Sequence, residues 1–190
     1  MKSIYKLLSV FVLFVFASGF YFSGSEKAED FSLKDYNGKE YKLSDNQDSK
    51  AIVLIFVATQ CPVSNAYNER MEKLYEDYKG KDVAFFGINS NKQESVEEIK
   101  DHAKEHNLNF VILKDVNNVI ADKFGASFTP EVYVLNKKLE ILYHGRIDDS
   151  RRESDVKTKD LRNALDEIID GKKVEVSETK AFGCTIKRVS

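Results

Sequence analysis

The sequence predicts an α/β fold: a mixed central sheet with helices on both faces, an N-terminal β-hairpin and an extended C-terminal tail. Three observations predict it. Apolar runs of strand length at Ala51 to Ala58 and Val83 to Ile88 alternate with helical periodicity, first at Tyr67, Met71, Leu74, Tyr75 and Tyr78, then at Val96, Ile99 and Ala103. Two further strand-length runs, Glu131 to Leu135 and Glu140 to His144, follow one another across a turn at Asn136 to Leu139. Leu161, Ala164, Leu165, Ile168 and Ile169 then form one apolar stripe, ended by Gly171, which reads as a last amphipathic helix.

The elements follow in order. Residues 1–25 differ in kind from the rest: Lys2 and Lys6 precede an apolar run from Leu7 to Phe22, and Ala17 and Gly19 offer a cleavage site, the pattern of a secretory signal peptide. An uncleaved leader would be a membrane anchor, although the run is short for a span of about 20 residues. No cysteine lies near its end, so a lipoprotein anchor is not supported. The expected compartment is extracytoplasmic or periplasmic. After a polar linker, Phe31-Ser-Leu33 and Tyr41-Lys-Leu43 alternate about Asn37-Gly38, a hairpin signal. The Ala51 run stops at Cys61-Pro62, and proline suits a first helical position, so one helix is expected from Pro62 to about Gly80. Ser95-Val-Glu-Glu98 is a capping box opening the second helix. Phe110 to Leu113 is a short strand, Val119 to Phe124 a helical turn closed by Gly125, and Thr129-Pro130 precedes the Glu131 strand. The domain is expected to span residues 26–171, with residues 172–190 as a tail lacking helical periodicity.

Composition bounds the function. Of 190 residues, 42% are hydrophobic, with 13 Phe and 9 Tyr, enough to bury one substantial core. The 29 basic and 31 acidic residues intermingle without a long block of one sign, which gives no footprint for nucleic acid. Removing the leader subtracts two positive charges and leaves 27 − 31 = −4. Two cysteines remain, Cys61 and Cys184, in neither a C-x-x-C nor a zinc spacing.

Cys61 draws the chemistry to itself. A thiol at a helix start faces unpaired backbone N–H groups and the positive end of the helix dipole, and both favour thiolate over thiol. Ligands in such sheets approach the carboxyl ends of parallel strands, where Cys61 lies. The ordinary alternative is a small buried hydrophobe, as most free cysteines are.

Five stretches, Phe56 to Asn65 (FVATQCPVSN), Gly87-Ile-Asn-Ser-Asn91, Thr129-Pro-Glu131, Tyr143 to Asp149 (YHGRIDD) and Gly183-Cys-Thr-Ile-Lys187, together resemble the thioredoxin fold. More narrowly they resemble its redoxin group, the peroxiredoxin-like proteins of the thiol-specific antioxidant and alkyl hydroperoxide reductase superfamily. The resemblance runs from about Phe31 to Lys187. It implies an antioxidant or disulfide-reacting oxidoreductase with Cys61 as attacking cysteine and Pro130 as the cis-proline facing it, while Thr59, Gln60, Pro62, Ser64 and Thr129 shape the site. Two positions depart from the pattern. Ser64 stands where a thioredoxin has its second cysteine, so exchange within the motif is ruled out; Ala58 stands where a peroxiredoxin has its threonine, with Thr59 one step late.

Cys184 is the internal candidate to resolve Cys61, and the sequence leaves open whether the two pair and whether a bond between them is structural or catalytic. Arg146 is a candidate to steady a thiolate or peroxide, as an arginine does in peroxiredoxins, but this arginine follows the last strand, which favours a salt bridge to Asp148 or Asp149. Glu131 is weighed between substrate contact and a solvated strand edge. His102 and His106 have the spacing of two metal ligands but no third, and read as a solvated face; no metal and no cofactor are expected. The expected partners are a peroxide or a protein disulfide as substrate and an external thiol as reductant, with no nucleic acid, and a membrane only if the leader is retained. The alternative is a non-catalytic module that binds a partner protein or Cu(I) through the two thiols.

Overall fold

A computed structural model describes residues 26–189; the expected leader lies outside the described residues. Strands β1 (Ser32–Asp35) and β2 (Glu40–Lys42) form the N-terminal hairpin. Its turn is fastened by Asp35 Oδ1, which accepts the N–H groups of Asn37 at 2.8 Å and Lys39 at 2.9 Å. There follow β3 (Ala51–Val57), α1 (Pro62–Asn65), α2 (Asn68–Tyr78), β4 (Val83–Asn89), α3 (Val96–Glu105), β5 (Val111–Lys114) and α4 (Val119–Phe124). Then come β6 (Phe128–Thr129), β7 (Glu131–Leu135), β8 (Ile141–Gly145), α5 (Asp160–Ile169) and β9 (Cys184–Thr185).

Seven strands form one sheet in the order β2-β1-β5-β4-β3-β7-β8. Strands β3, β4 and β5 are parallel, joined by helical crossovers, and antiparallel strands complete both edges. The expected mixed sheet is therefore present. Every residue of β3 is buried, and the strand's alternation divides the core in two. Val53, Ile55 and Val57 meet Met71, Leu74 and Tyr78 of α2, Ile99 of α3, and Leu161 and Leu165 of α5. Ile52, Leu54 and Phe56 pack on the other side with Phe31, Leu43, Ile120 of α4, and Ile186 of the tail. Helices thus cover both faces, three against one.

Two expectations need correction. The helix after Cys61 is interrupted: Tyr67 N–H bonds Ser64 C=O at 2.9 Å, a tightened turn, and the regular ladder resumes only at Asn68. α1 is therefore one turn long and its dipole small. Nor does the Glu140 strand end the sheet structure, because the tail adds β9, antiparallel to β6. The capping box at Ser95 is present in both directions, at 3.2 Å and 2.6 Å.

The tail crosses the domain with its backbone bonded along the way. His144 N–H bonds Ser177 C=O and Thr179 N–H bonds His144 C=O, each at 2.9 Å, so the first part runs beside β8. Farther on, Ile186 N–H bonds Ser127 C=O at 3.0 Å, Lys187 N–H bonds Asn91 Oδ1 at 2.7 Å and Val189 N–H bonds Asn118 Oδ1 at 2.7 Å. Two glycines permit this approach. Gly145 (φ +150°) and Gly183 (φ +155°) hold backbone conformations that other residues rarely adopt; a Cβ on Gly145 would strike Thr179, and one on Gly183 would strike Thr129 C=O.

Candidate functional site

Cys61 ends the loop after β3 and is the N-cap of α1, with Pro62 at the first helical position. Only 4% of its surface is exposed. Its Sγ accepts the N–H of Ser64 at 3.3 Å, so at this one-turn helix a directed donor, more than a macrodipole, favours negative charge on sulfur. The Ser64 hydroxyl, fully buried, accepts Ala58 N–H at 3.1 Å and closes the loop on itself.

Cys184 is joined to Cys61 by a disulfide that spans 123 positions of sequence, with the Cα atoms 6.0 Å apart. The tail places it there through the pairing of Thr129 with Cys184, and Gly183 lets that pair close. The Thr129-Pro130 peptide is cis, and Thr129 C=O lies 3.4 Å from Cys61 Sγ. Cys61, Cys184, Ser64, Thr129 and Pro130 are thus brought together. Thr59 and Gln60 flank them through their backbones, with the Gln60 side chain turned outward to Glu98 Oε1 at 3.0 Å and Thr59 Oγ1 buried without a hydrogen-bond partner. Arg151, exposed, reaches Pro62 C=O at 3.2 Å.

Other expected residues stand elsewhere. Arg146 bonds neither the sulfur nor Asp148 or Asp149; its Nε donates to Asp160 Oδ2 at 2.8 Å, because the chain turns after β8 toward the start of α5. Glu131 is buried rather than exposed to substrate: it accepts the N–H groups of Ser127 (2.7 Å) and Phe128 (2.8 Å), and His144 Nε2 lies 2.7 Å from its Oε1. Burial pushes the Glu131 carboxyl up, but His144 and the two backbone donors outweigh it and hold the group below the ordinary carboxylate value. His102 is half-buried against Asn68 Nδ2 at 3.1 Å, with the His106 ring 4.4 Å away between centroids. Burial, and then His106, push the His102 pKa down. Among the described residues no group of three or more His, Cys, Asp or Glu could hold a metal ion.

Sequence reasoning missed the polar support of the site. Glu94, 1% exposed, lies under the cysteine loop and accepts Thr59 N–H at 2.8 Å and Gln60 N–H at 3.1 Å. The clue was present: Asn89-Ser-Asn91 ends an apolar strand beside the Cys61 strand, at the carboxyl edge where sites gather. A second buried set holds the start of α2. Arg70 donates to Asp148 at 2.6 Å and lies 3.6 Å over the Tyr67 ring, whose hydroxyl sits 2.9 Å from Asp148. Burial, and then Asp148, push the Tyr67 hydroxyl pKa up.

The chain is 30% identical over 145 residues to Thiol-disulfide oxidoreductase ResA of Halalkalibacterium halodurans, covering 74% of this chain and 81% of that one. A crystal structure of a hypothetical protein from Sinorhizobium meliloti 1021 superposes with a TM-score of 0.82 at 31% identity, over 88% of this chain and 96% of the other. A thiol:disulfide interchange protein DsbE from Chlorobium tepidum shares the fold, at 19% identity and a TM-score of 0.65 over 77% of this chain and 97% of its own. The fold is thioredoxin-like. Residues 25–146, which carry the Cys61 loop, the cis-proline and the Glu94 support, match the AhpC/TSA family, and the chain belongs to that family.

Proposed function

We propose that the chain is an exported thiol-dependent oxidoreductase in which Cys61 is the nucleophile and Cys184 the resolving cysteine. The observation that carries the reading is the Cys61–Cys184 disulfide, built from a sulfur that accepts a backbone N–H at a helix start and a sulfur delivered by an anchored tail. Thiolate chemistry gives the cycle. The Cys61 thiolate attacks one sulfur of a partner disulfide and expels the other as thiolate; the Cys184 thiolate then attacks Cys61 Sγ, releases the second partner sulfur as thiolate and leaves the internal disulfide. An external thiol restores the pair. Because Cys61 is almost wholly covered and Cys184 is half-buried, the entering thiolate attacks Cys184 and expels Cys61 as the thiolate that Ser64 N–H stabilises.

Peroxide is the second reading, supported by the match to the AhpC/TSA family. Here the Cys61 thiolate takes the terminal oxygen of ROOH to become a sulfenic acid, with release of ROH after protonation. Cys184 then condenses with the sulfenic acid, losing water. Ala58 in place of the peroxiredoxin threonine weighs toward the disulfide substrate.

The test is a trapping experiment. Reduced wild type, C61S and C184S are mixed with hydrogen peroxide or with glutathione disulfide and mapped by mass spectrometry without reduction. The expected results are an internal disulfide in wild type, a mixed disulfide or dimedone adduct at residue 61 in C184S, and neither in C61S. Equal reactivity of C61S and wild type would overturn the assignment, and the faster oxidant names the substrate class.

A further inference from the structure

Both halves of the disulfide are tied to one short segment, residues 89–94, which carries no sulfur. On the Cys61 side the tie is the Glu94 carboxylate, 1% exposed and reached only by neutral donors. Its two oxygens divide the work evenly. Oε2 accepts Thr59 N–H at 2.8 Å and Asn89 Nδ2 at 2.5 Å; Oε1 accepts Gln60 N–H at 3.1 Å and Asn91 Nδ2 at 2.9 Å. Each oxygen therefore holds one backbone group of the cysteine loop and one asparagine. On the Cys184 side the tie is Asn91, whose Oδ1 accepts Lys187 N–H at 2.7 Å, three residues beyond the tail cysteine. Lys92 N–H adds a bond to Lys187 C=O at 2.9 Å. Lys114 Nζ, 3.0 Å from Asn89 Oδ1 and 2.7 Å from Asn91 C=O, fixes which way the Asn89 amide points and supplies the opposite charge nearby.

A buried carboxylate costs several kcal/mol of desolvation unless every lone pair is used. Apolar packing of an ordinary turn would not require one here. What this carboxylate does that an apolar residue could not is hold two successive N–H groups, just before a cysteine, and an amide that reaches the tail three residues beyond the other cysteine.

We propose that Glu94 is the positioning residue of the redox couple: with Asn91 as its arm, it sets the loop before Cys61 and the tail after Cys184 at bonding distance from each other. The inference rests on the proposed redox cycling of this pair. Glu94 touches neither sulfur through any hydrogen bond; it acts through the two backbones, by raising the effective concentration of one thiol beside the other. An isosteric amide cannot substitute. In E94Q the side chain would keep one acceptor oxygen and turn an NH2 toward the two donors of the other pair, so it must release either Thr59 and Asn89 or Gln60 and Asn91.

The test equilibrates the full chain in glutathione buffers and measures the constant for Cys61-SH + Cys184-SH + GSSG giving the internal disulfide and two GSH, for wild type, E94Q and N91A. The expected result is a fall of about tenfold or more in E94Q, the size of one charge-assisted hydrogen bond, and a smaller fall in N91A, which removes the Lys187 tie and one donor to Glu94 Oε1 but leaves Thr59 N–H and Gln60 N–H bonded to the carboxylate. A merely structural role lowers the unfolding temperatures of oxidised and reduced protein alike and leaves this constant where it was. Constants within twofold of wild type in folded E94Q and N91A would overturn the role of Glu94 and leave the redox reading intact. Failure of wild type to form the internal disulfide in any buffer would overturn both. If E94Q does not fold, N91A decides by the same twofold criterion.

Discussion

Ser64 separates two effects that one side chain usually mixes, because its N–H serves Cys61 Sγ while its hydroxyl serves Ala58 N–H. Ser64→Ala is therefore expected to cost about 1–3 kcal/mol in urea unfolding, since it leaves a buried N–H without a partner, while the pH at which Cys61 in C184S becomes reactive to iodoacetamide stays near that of the Ser64 parent. That reactivity is expected to titrate below the ordinary thiol value of about 8.5. Asp148 offers the opposite case. It is the buried counter-charge of Arg70, at 2.6 Å with both side chains under a tenth exposed, so Asp148→Ala leaves a guanidinium buried and unpaired and is expected to cost about 3–5 kcal/mol by the same measurement. At this scale the sequence was legible where chemistry marks it: a thiol before a proline at the end of an apolar run. It was silent on Glu94 and on the Arg70–Asp148 pair, because a lone charged residue looks the same in sequence whether it faces water or the core. Arg146 went to Asp160 for a similar reason, its partner being 14 positions on and chosen by the turn after β8.

Periodicity made the strands and helices legible, and the caps fixed several boundaries, as at Ser95 and Gly125. The break between α1 and α2 was not legible, since helical spacing of Tyr67, Met71 and Leu74 continues on either side of it. β9 was not legible either: two residues carry no period, and only the glycine before them hints that another backbone comes close. Gly183→Ala puts a methyl against Thr129 C=O and is expected to undock β9 from β6, so that air-oxidised protein retains free thiols by mass mapping where wild type retains none. β7 and β8 meet at the Glu131–His144 contact, which predicts an acid limit. Glu131 is held below its ordinary value in the folded chain, so its contribution is complete above about pH 4.5 and is lost as pH falls through the lower, folded value. Wild type is expected to exceed E131Q by about 1–3 kcal/mol at neutral pH, with the advantage fading below pH 4.5 in urea titrations; a constant gap down to pH 3 contradicts the ionised contact.

For the molecule as a whole, the disulfide closes everything from α1 to β9 into one loop, and the chain-entropy model assigns a closure of that length about 5 kcal/mol. Reduction is expected to lower the unfolding temperature by roughly 10–20 °C in calorimetry with and without dithiothreitol, and C184S is expected to match the reduced protein. Among the described residues no helix is long and apolar enough to cross a membrane. The separation of 123 positions between the cysteines also has a meaning in time. A ribosome adding about 5–20 residues per second makes Cys61 roughly 6–25 s before it makes Cys184. Throughout that interval Cys61 exists without Cys184, so any disulfide it forms then is with another thiol. The strand that will shield that sulfur is among the last parts of the fold to be synthesised, so the finished couple also reports that translation has passed Cys184.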